Sequence, residues 1–504
     1  MAETSSPVSY PVTTRALGLA IVVLSGLQLM VVLDGTVANL ALAPLQEDLG
    51  LSDAGRNWVL TSYALSYGGL MLLGGRLGDA FGRKRMFIAG VGLFTLASLL
   101  CGLAVNEGTL VAARALQGVG AAVASPTALA LVATTFAPGP ARNQAIAIFA
   151  AMTGVGSIAG LIIGGALTEV SWRWIFLINV PIGILIVTLA VIALRETAAE
   201  RLPLDVPGAV LATLGCTGLV FGLTEGPEMG WSSPAVVGAL LAGAALLAVF
   251  LVVERRAENP LLPFVLFRNP DRVATFVSIF FAGAVMFSLA AFVALFVQDI
   301  LGYSPLQAGL AFVPFAFGLG AAAAVASKLA VRVRPRWLVV TGALIMAVSL
   351  LYGSTMSHTV AYVPTLFVLV LVVGFGVGLA VVPLPLCAIA GVGSHEIGPL
   401  AAIAQVAQTL GGPIGLAVIG AMATSRTLAL GGTSGAVADM DPAQLYALGE
   451  GYLFALVGCA VCAVIAGAAA LFIRFTPEQV AQAQEAEKAA HRVHRPPPPE
   501  AQGT

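Results

Sequence analysis

Charged residues are scarce in this sequence. Asp, Glu, Lys and Arg together make up 10% of the 504 residues, whereas hydrophobic residues make up 59%. Soluble domains carry about 25% charged residues, because their surfaces must be solvated by water. The composition therefore excludes a soluble globular protein and predicts an all-α polytopic membrane protein.

The chain also lacks the residues that enzymes and metal sites need. None of its lysines (Lys84, Lys328 and Lys488) follows a glycine, so the phosphate-binding loop of ATP-hydrolysing proteins is missing. Zinc-protease and serine-nucleophile signatures are missing too, and the five cysteines have no metal-ligand spacing with histidines. We therefore predict no enzyme activity, no cofactor, no metal site and no nucleic-acid partner. An ion gradient must supply the energy for any work the protein does.

Apolar segments of membrane-spanning length recur along the whole chain. A bilayer span needs about 20 apolar residues. Fourteen spans are predicted at residues 17–44, 57–74, 86–104, 109–134, 144–168, 174–194, 207–224, 235–253, 273–297, 305–327, 337–356, 364–389, 399–424 and 451–473.

The positions of the basic residues predict the orientation. With the N-terminus inside, 20 of the 24 basic residues fall on the cytoplasmic side, as the positive-inside rule requires. Only Arg56, Arg173 and Arg426 fall outside, and Arg114 lies within a span. We therefore expect a protein of the cytoplasmic (inner) membrane of a bacterium, with both termini in the cytoplasm.

The spans divide as six, two and six. We predict an N-terminal six-helix bundle at 1–200, a two-helix central insert at 201–272, a C-terminal six-helix bundle at 273–473 and a disordered cytoplasmic tail at 474–504. Related halves that rock against each other around a midplane site are the basis of alternating access in secondary transporters.

One acidic residue, Asp34, lies deep within the first apolar run. A carboxylate at the centre of the bilayer costs about 2.5–3.5 kcal/mol by insertion scales, so Asp34 is expected to face a protein interior or a watery cavity. Arg114 lies at a similar depth, in the outer half of span 4. Protonation of Asp34 would release Arg114 and bias a conformational equilibrium. A static buried pair, or direct substrate contact by Arg114, is the alternative.

The turn after span 2 carries a familiar motif. Residues 75–85, with Gly75, Asp79, Gly82, Arg83, Lys84 and Arg85, resemble the G-x-L-x-D-x-x-G-R-K/R signature of the major facilitator superfamily. The glycines permit a tight turn. Asp79 is expected to form ion pairs that hold one conformation of an inner gate.

The resemblance extends over most of the chain. Residues 33–39, 114–120, 172–183, 259–263 and 301–309 resemble stretches of the fourteen-span drug/proton antiporters. This resemblance implies the major facilitator fold, with two six-helix bundles and two extra central helices, and a role in bacterial multidrug or antibiotic efflux.

Span 5 carries a face of glycines, Gly156, Gly160 and Gly164, followed by Gly165. Such a face lets another helix approach closely. It is similar to the antiporter motif of exporters, although Leu161 stands where the family has proline. Plain helix packing is the alternative.

A set of polar and aromatic side chains within the spans is expected to line a substrate cavity: Asn39, Gln117, Gln405, Gln408 and Phe287. For the phenylalanine, a place in the core or against lipid is the alternative. Glu225, Glu228 and Asp299 lie at span ends and are expected to be solvated loop acids.

The expected function is proton-driven efflux (drug:proton antiport) of hydrophobic or amphipathic small molecules by a monomeric secondary transporter. The partners are then a small-molecule drug or metabolite, protons and the lipid bilayer. Export of a native metabolite, amino acid or siderophore is an alternative, and a membrane sensor or channel is another.

Overall fold

The computed structural model describes residues 14–136, 140–196, 204–257, 260, 267–329, 332–356, 361–392, 394–433, 435 and 437–479. Within these residues the chain forms fourteen long helical segments, which we number α1 to α14. They are Thr14–Leu40, Asp53–Phe81, Arg83–Gly102, Glu107–Thr135, Pro140–Val170, Arg173–Ala193, Val206–Met229, Pro234–Glu254, Pro270–Leu295, Pro305–Leu329, Pro335–Ser354, Tyr362–Ala388, Ser394–Ala429 and Pro442–Ala470.

Thirteen of these segments in the described chain are long and apolar enough to cross a membrane. The fourteenth, α2, is equally long but carries more polar side chains, including Asn57, Thr61 and Ser62, which are buried. Its burial between other helices explains how a less apolar segment can occupy the same layer. The all-α polytopic fold is confirmed.

Local sequence signals begin several of these helices. Ser52 caps α2 by accepting a hydrogen bond from the Gly55 N–H. Asn106 and Ser304 each form a reciprocal capping box with the residue three positions on, at the start of α4 and α10. These side chains satisfy N–H groups that have no partner within the helix.

The first span differs from its predicted bounds of 17–44. Helix α1 ends at Leu40, and a separate short helix follows at Leu42–Leu49. Pro44 has no N–H to donate to the Leu40 carbonyl, so the hydrogen-bond ladder of α1 cannot continue through it.

The helices pack as two related six-helix bundles. In the first bundle α1 packs on α5, α2 on α4, and α3 on α4 and α6. In the second bundle α9 packs on α13, α10 on α12, and α11 on α12 and α14. The bundles meet through α2 with α13 and through α5 with α10, and these two contacts are equivalent under the same repeat.

The two additional helices, α7 and α8, pack on each other. Helix α7 also contacts α2 of the first bundle and α13 of the second. The insert therefore lies beside the junction of the bundles. The predicted tail lies outside the described residues from position 480 onward.

The loops gather at two ends of the molecule. We call the end that holds the turn at Gly82 the motif end and the opposite one the far end. At the far end Arg173 Nη1 donates to Asp48 Oδ2 at 2.8 Å, and Ser304 Oγ donates to Glu169 Oε1 at 2.6 Å. These contacts join the loops α1–α2, α5–α6 and α9–α10, which share one end as expected for helices that alternate in direction.

Candidate functional site

The structure brings Asp34 and Arg114 together inside the first bundle. Asp34 lies on α1 and Arg114 on α4, and Arg114 Nη1 is 2.7 Å from Asp34 Oδ2. The two residues are 2% and 1% exposed. The predicted proximity of the two groups is thus present as a buried, charge-assisted hydrogen bond, the strong kind between ionised partners.

Two amides complete the shell around the Asp34 carboxylate. Gln117 Nε2 on α4 and Asn179 Nδ2 on α6 donate to Asp34 Oδ1 at 2.8 and 2.9 Å. Gln117 Oε1 in turn accepts from Arg114 Nη1 at 2.6 Å, and its Nε2 also donates to Ser98 Oγ at 2.8 Å. The ionised carboxylate therefore has three donors from two helices, and burial of its charge is compensated.

The guanidinium of Arg114 is held on its other sides. Its Nε donates to the Val59 carbonyl of α2 at 3.0 Å. Its Cζ lies 4.4 Å from the ring centroid of Tyr63 and 5.5 Å from that of Phe176. Cations are attracted to the faces of aromatic rings at such distances. Arg114 thus links α1, α2, α4 and α6 at one point.

Asn179 is the residue of this site that sequence reasoning missed. It follows the break at Ile178 between the two parts of α6, Arg173–Leu177 and Asn179–Ala193. The available signal was its place in the 172–183 stretch, an amide in an otherwise apolar run. Nothing in that run indicates which helix the amide faces.

Three of the four glycines singled out on α5 face α1, the helix that carries Asp34. A Cβ at Gly156, Gly160 or Gly164 would lie 3.1, 3.0 or 2.6 Å from Val32, Thr36 or Val37 respectively. The α1 residues that contact α5 therefore lie on both sides of Asp34 in the sequence.

The fourth of these glycines faces the second bundle. A Cβ at Gly165 would lie 2.6 Å from the Cα of Leu306 on α10. On the same seam, a Cβ at Gly309 would meet the Leu161 carbonyl of α5. A continuous line of close helix contacts thus runs from α1 through α5 to α10.

The motif turn is tight, and its ion pair is local. Gly82 has a φ of +99°, a backbone conformation that residues other than glycine rarely adopt. Arg83 Nε and Nη2 are each 2.9 Å from Asp79 Oδ1. Both partners belong to the first bundle, so this pair holds the turn between α2 and α3.

The basic side of the turn is bonded to α6 and to the residues that follow it. Lys84 Nζ donates to the Val191 carbonyl at 2.8 Å. Glu196 Oε1 and Oε2 accept from the backbone N–H groups of Lys84 and Arg85 at 3.1 Å each. A carboxylate at the start of α3 satisfies helix N–H groups that lack partners. Gly75 lies on the same stretch of α2, facing Pro126 of α4.

The predicted cavity residues lie in different places. Gln405 and Gln408 line a cavity of about 180 Å³ among α9, α12 and α13. Phe287 is half-buried and packs against Gly412. Asn39 Nδ2 donates to the Gly35 carbonyl of its own helix at 3.0 Å. Gln117 is fully buried within the Asp34 network.

The interpretation of the span-end acids as solvated was wrong for Asp299, whereas Glu225 and Glu228 are half-buried on α7. The Asp299 side chain is 5% exposed and lies 3.5 Å from Arg56. Glu225 accepts from Trp58 Nε1, and Glu228 from the Ala54 N–H, both at 3.1 Å. Contacts across the bundles and with α7 cover these ends, which hydropathy along the chain cannot reveal.

A polytopic helical fold with a buried, charged network between its spans is typical of membrane transporters. The two six-helix bundles and the motif turn narrow the class further. The family model of the Major Facilitator Superfamily matches residues 24–416, and the chain belongs to this family. The resemblance predicted from the motifs is confirmed.

Relatives with curated descriptions cover most of the chain. It is 55% identical to the uncharacterized MFS-type transporter EfpA of Mycobacterium tuberculosis, over 95% of this chain and 91% of that protein. It is 41% identical to the puromycin resistance protein pur8 of Streptomyces alboniger, over 81% and 82% of the two chains.

A solved structure shares the fold. The crystal structure of a bacterial homologue of the human lysosomal transporter Spinster, inward-facing and unoccupied, matches with a TM-score of 0.67. The two chains are 16% identical, and the match covers 94% of this chain and 99% of the other.

Proposed function

We propose that this protein exports hydrophobic or amphipathic small molecules, such as antibiotics, across the cytoplasmic membrane in exchange for protons. The observation that carries the proposal is the buried Asp34–Arg114 pair, 2.7 Å apart between membrane-spanning helices. The puromycin resistance of a relative supports an antibiotic as substrate. The protein acts as a monomer with both termini in the cytoplasm.

Asp34 is the proton carrier in this proposal. Ionised, its carboxylate holds Arg114 and accepts from Gln117 and Asn179. Protonation removes the negative charge and leaves Arg114 without its counter-ion, which a buried site tolerates poorly. The state in which the four groups converge is therefore stable only while Asp34 is ionised.

The contacts of α1 transmit this change to the second bundle. Helix α1 packs on α5 through Gly156, Gly160 and Gly164, and α5 meets α10 at Gly165. A proton that alters the position of α1 therefore also alters the interface between the bundles. In this way a local change of charge shifts the equilibrium between two arrangements of the bundles.

In this proposal the two bundles, at 1–200 and 273–473, move relative to each other. The insert at 201–272 moves with the junction between them. The turn at 75–85 fixes the inner ends of α2 and α3 within the first bundle through the Arg83–Asp79 pair. One proton driven by about 180 mV supplies roughly 4 kcal/mol, at 2.3 kcal/mol per 100 mV. This free energy supports about a thousandfold gradient of a neutral solute.

Transport by inverted membrane vesicles tests the proposal, with puromycin as the probe. We expect uphill uptake that an uncoupler abolishes, and we expect Asp34→Asn to abolish it without loss of folded protein. Asp48→Asn is the matched control, because Asp48 is a half-exposed far-end acid paired with Arg173. Downhill flux alone from the wild type would refute antiport, and proton-driven uptake by Asp34→Asn would remove Asp34 from its role.

A further inference from the structure

A second buried charged network lies at the far end. Arg56, at the start of α2, is 2% exposed. Its Nη1 lies 2.6 Å from Gln46 Oε1, 3.1 Å from Tyr452 Oη and 3.5 Å from Asp299 Oδ2. Its Nη2 lies 3.4 Å from Asp53 Oδ1. We call these five residues the far-end cluster.

The far-end cluster joins the two bundles. Gln46, Asp53 and Arg56 belong to the first bundle, whereas Asp299, in the π-helical turn Phe296–Ile300 that follows α9, and Tyr452 on α14 belong to the second. Within the second bundle Tyr452 Oη donates to Asp299 Oδ2 at 2.7 Å, and within the first Gln46 Nε2 donates to Asp53 Oδ1 at 3.0 Å. Any separation of the bundles at this end must pull Asp299 and Tyr452 away from Arg56.

The cluster holds two carboxylates and one guanidinium. The side chains of Asp53 and Asp299 are each 5% exposed, and that of Arg56 is 3% exposed. Arg56 is closer to Gln46 than to Asp299, so the guanidinium is shared rather than devoted to one acid. When carboxylates share a buried site, protonation of one removes their repulsion.

Water can reach Asp299 from the far side. A polar cleft of about 270 Å³ between the bundles is lined by Asp299 and Gln298, by Glu47 of the short helix and by Tyr303. The charged and titratable side chains that face Asp299 from the surrounding elements are Glu47, Asp53, Arg56, Tyr303 and Tyr452. Glu47 adds a further negative charge on the solvent side of this cleft.

We propose that Asp299 is a second proton-binding group, and that the proton it takes up accompanies closure of the bundles at the far end. With the far end open, Asp299 is hydrated and ionised. With it closed, the protonated carboxyl still accepts from Tyr452, and Arg56 then balances Asp53. This inference rests on the proposed movement of the bundles, but not on the role of Asp34 or on the substrate.

Proton uptake on closure makes the conformation depend on pH. If closure binds one proton, the ratio of closed to open molecules rises by about tenfold for each unit that the pH falls. This tenfold change per pH unit holds over the pH range in which open molecules have lost the proton and closed molecules still hold it. Proton binding at Asp34 acts on the same equilibrium, so the two sites must be separated by mutation.

Distances between spin labels on the two bundles can measure this ratio. Val105→Cys lies between α3 and α4, where Val105 is 75% exposed, and Leu430→Cys follows α13, where Leu430 is 40% exposed. Both positions are at the far end. The five native cysteines are buried or half-buried, and protein without the introduced pair serves as the labelling control.

The expected result is that Asp34→Asn keeps a pH-dependent far-end distance, and that adding Asp299→Asn removes the dependence. Asp53→Asn must also remove the pH dependence of the far-end distance, because Arg56 alone then balances the charge of the one remaining carboxylate, Asp299. This second variant serves if Asp299→Asn folds poorly. Asp48→Asn, an acid of the same end outside the cluster, must leave it unchanged.

Loss of the pH dependence in Asp34→Asn alone, or its persistence in Asp34→Asn with Asp299→Asn, overturns the inference. Either result is separate from the vesicle experiment. If vesicles show no proton-driven uptake while the far-end distance still follows Asp299, the proposed function fails and the proton site stands.

Discussion

The packing of α5 on the Asp34 helix predicts a large effect from the smallest possible substitution. Gly164→Ala adds one methyl group, whose carbon would lie 2.6, 2.7 and 2.9 Å from three side-chain carbons of Val37. Val37 is 1% exposed and is β-branched, so its side chain has neither open space nor a second favourable rotamer in a helix. The helices themselves must move apart.

The size of the effect follows from this geometry. Ordinary contact begins at 3.4 Å, so the closest pair of atoms must separate by about 0.8 Å. Overpacking of this kind costs typically 1–3 kcal/mol. Since 1.4 kcal/mol is a factor of ten in an equilibrium, the balance between conformations that differ in α1–α5 packing should change by about five- to a hundredfold.

Thermal unfolding in detergent and vesicle transport measure the two consequences. Gly154→Ala is the matched control on the same helix, because a Cβ at Gly154 meets no atom within 4 Å. We expect Gly164→Ala to unfold at lower temperature and to transport more slowly, while Gly154→Ala behaves as wild type. Equal stability and equal transport in the two variants would refute the argument that α5 controls the position of α1.

Two further predictions concern pH. Asn179→Ala removes one donor from the ionised Asp34 carboxylate, a bond worth about 1.5–3 kcal/mol. The pH profile of transport should therefore change, and an unchanged profile would contradict the assigned contact. Hydrogen bonds from Trp172 and Arg173 lower the pKa of Asp48 below 3.8. Ionised Asp48 thus contributes stability that is present above about pH 3.8 and is lost as the pH falls through the lower pKa of the folded state. Asp48→Asn should lower the unfolding temperature near neutral pH by the equivalent of less than about 1 kcal/mol, and the difference should vanish in acid. A difference that persists there would exclude the ionised carboxylate as its cause.

The number of spans could be predicted from hydropathy, but their ends could not. The apolar middle of α2 predicted a span at 57–74, whereas the helix runs from Asp53 to Phe81. The additional turns carry Asp53, Arg56 and Asp79, charged residues whose partners Gln46, Asp299 and Arg83 lie outside α2. Hydropathy detects contact with lipid, and these turns are stabilised by protein.

The Asp34–Arg114 pair could be placed in one membrane layer by counting residues along two helices of opposite direction. The direction in which the two side chains point could not be predicted, because counting residues gives their depth in the membrane and not the side of the helix on which they lie. The contributions of Gln117 and Asn179 depend on the rotation of α4 and on the break in α6 at Ile178. Such details are set by packing among four helices.

The far-end cluster was beyond prediction from local sequence. Arg56 and Tyr452 are 396 residues apart, and Asp299 and Tyr452 are 153 apart. Each looks like a residue at the end of a span, and only the association of the bundles buries them. A basic residue on the predicted outer side, against the positive-inside bias, was the one signal that Arg56 has a partner.

Proton release on substrate binding tests the central claim most directly. Puromycin is added to purified protein in weakly buffered detergent solution, and a pH-indicator dye records the protons released. If Asp34 exchanges its proton for substrate, the wild type should release up to about one proton per bound molecule. With Asp299→Asn introduced in both proteins to remove the second proposed proton site, Asp34→Asn should then release none. Equal release from the two proteins would contradict the account.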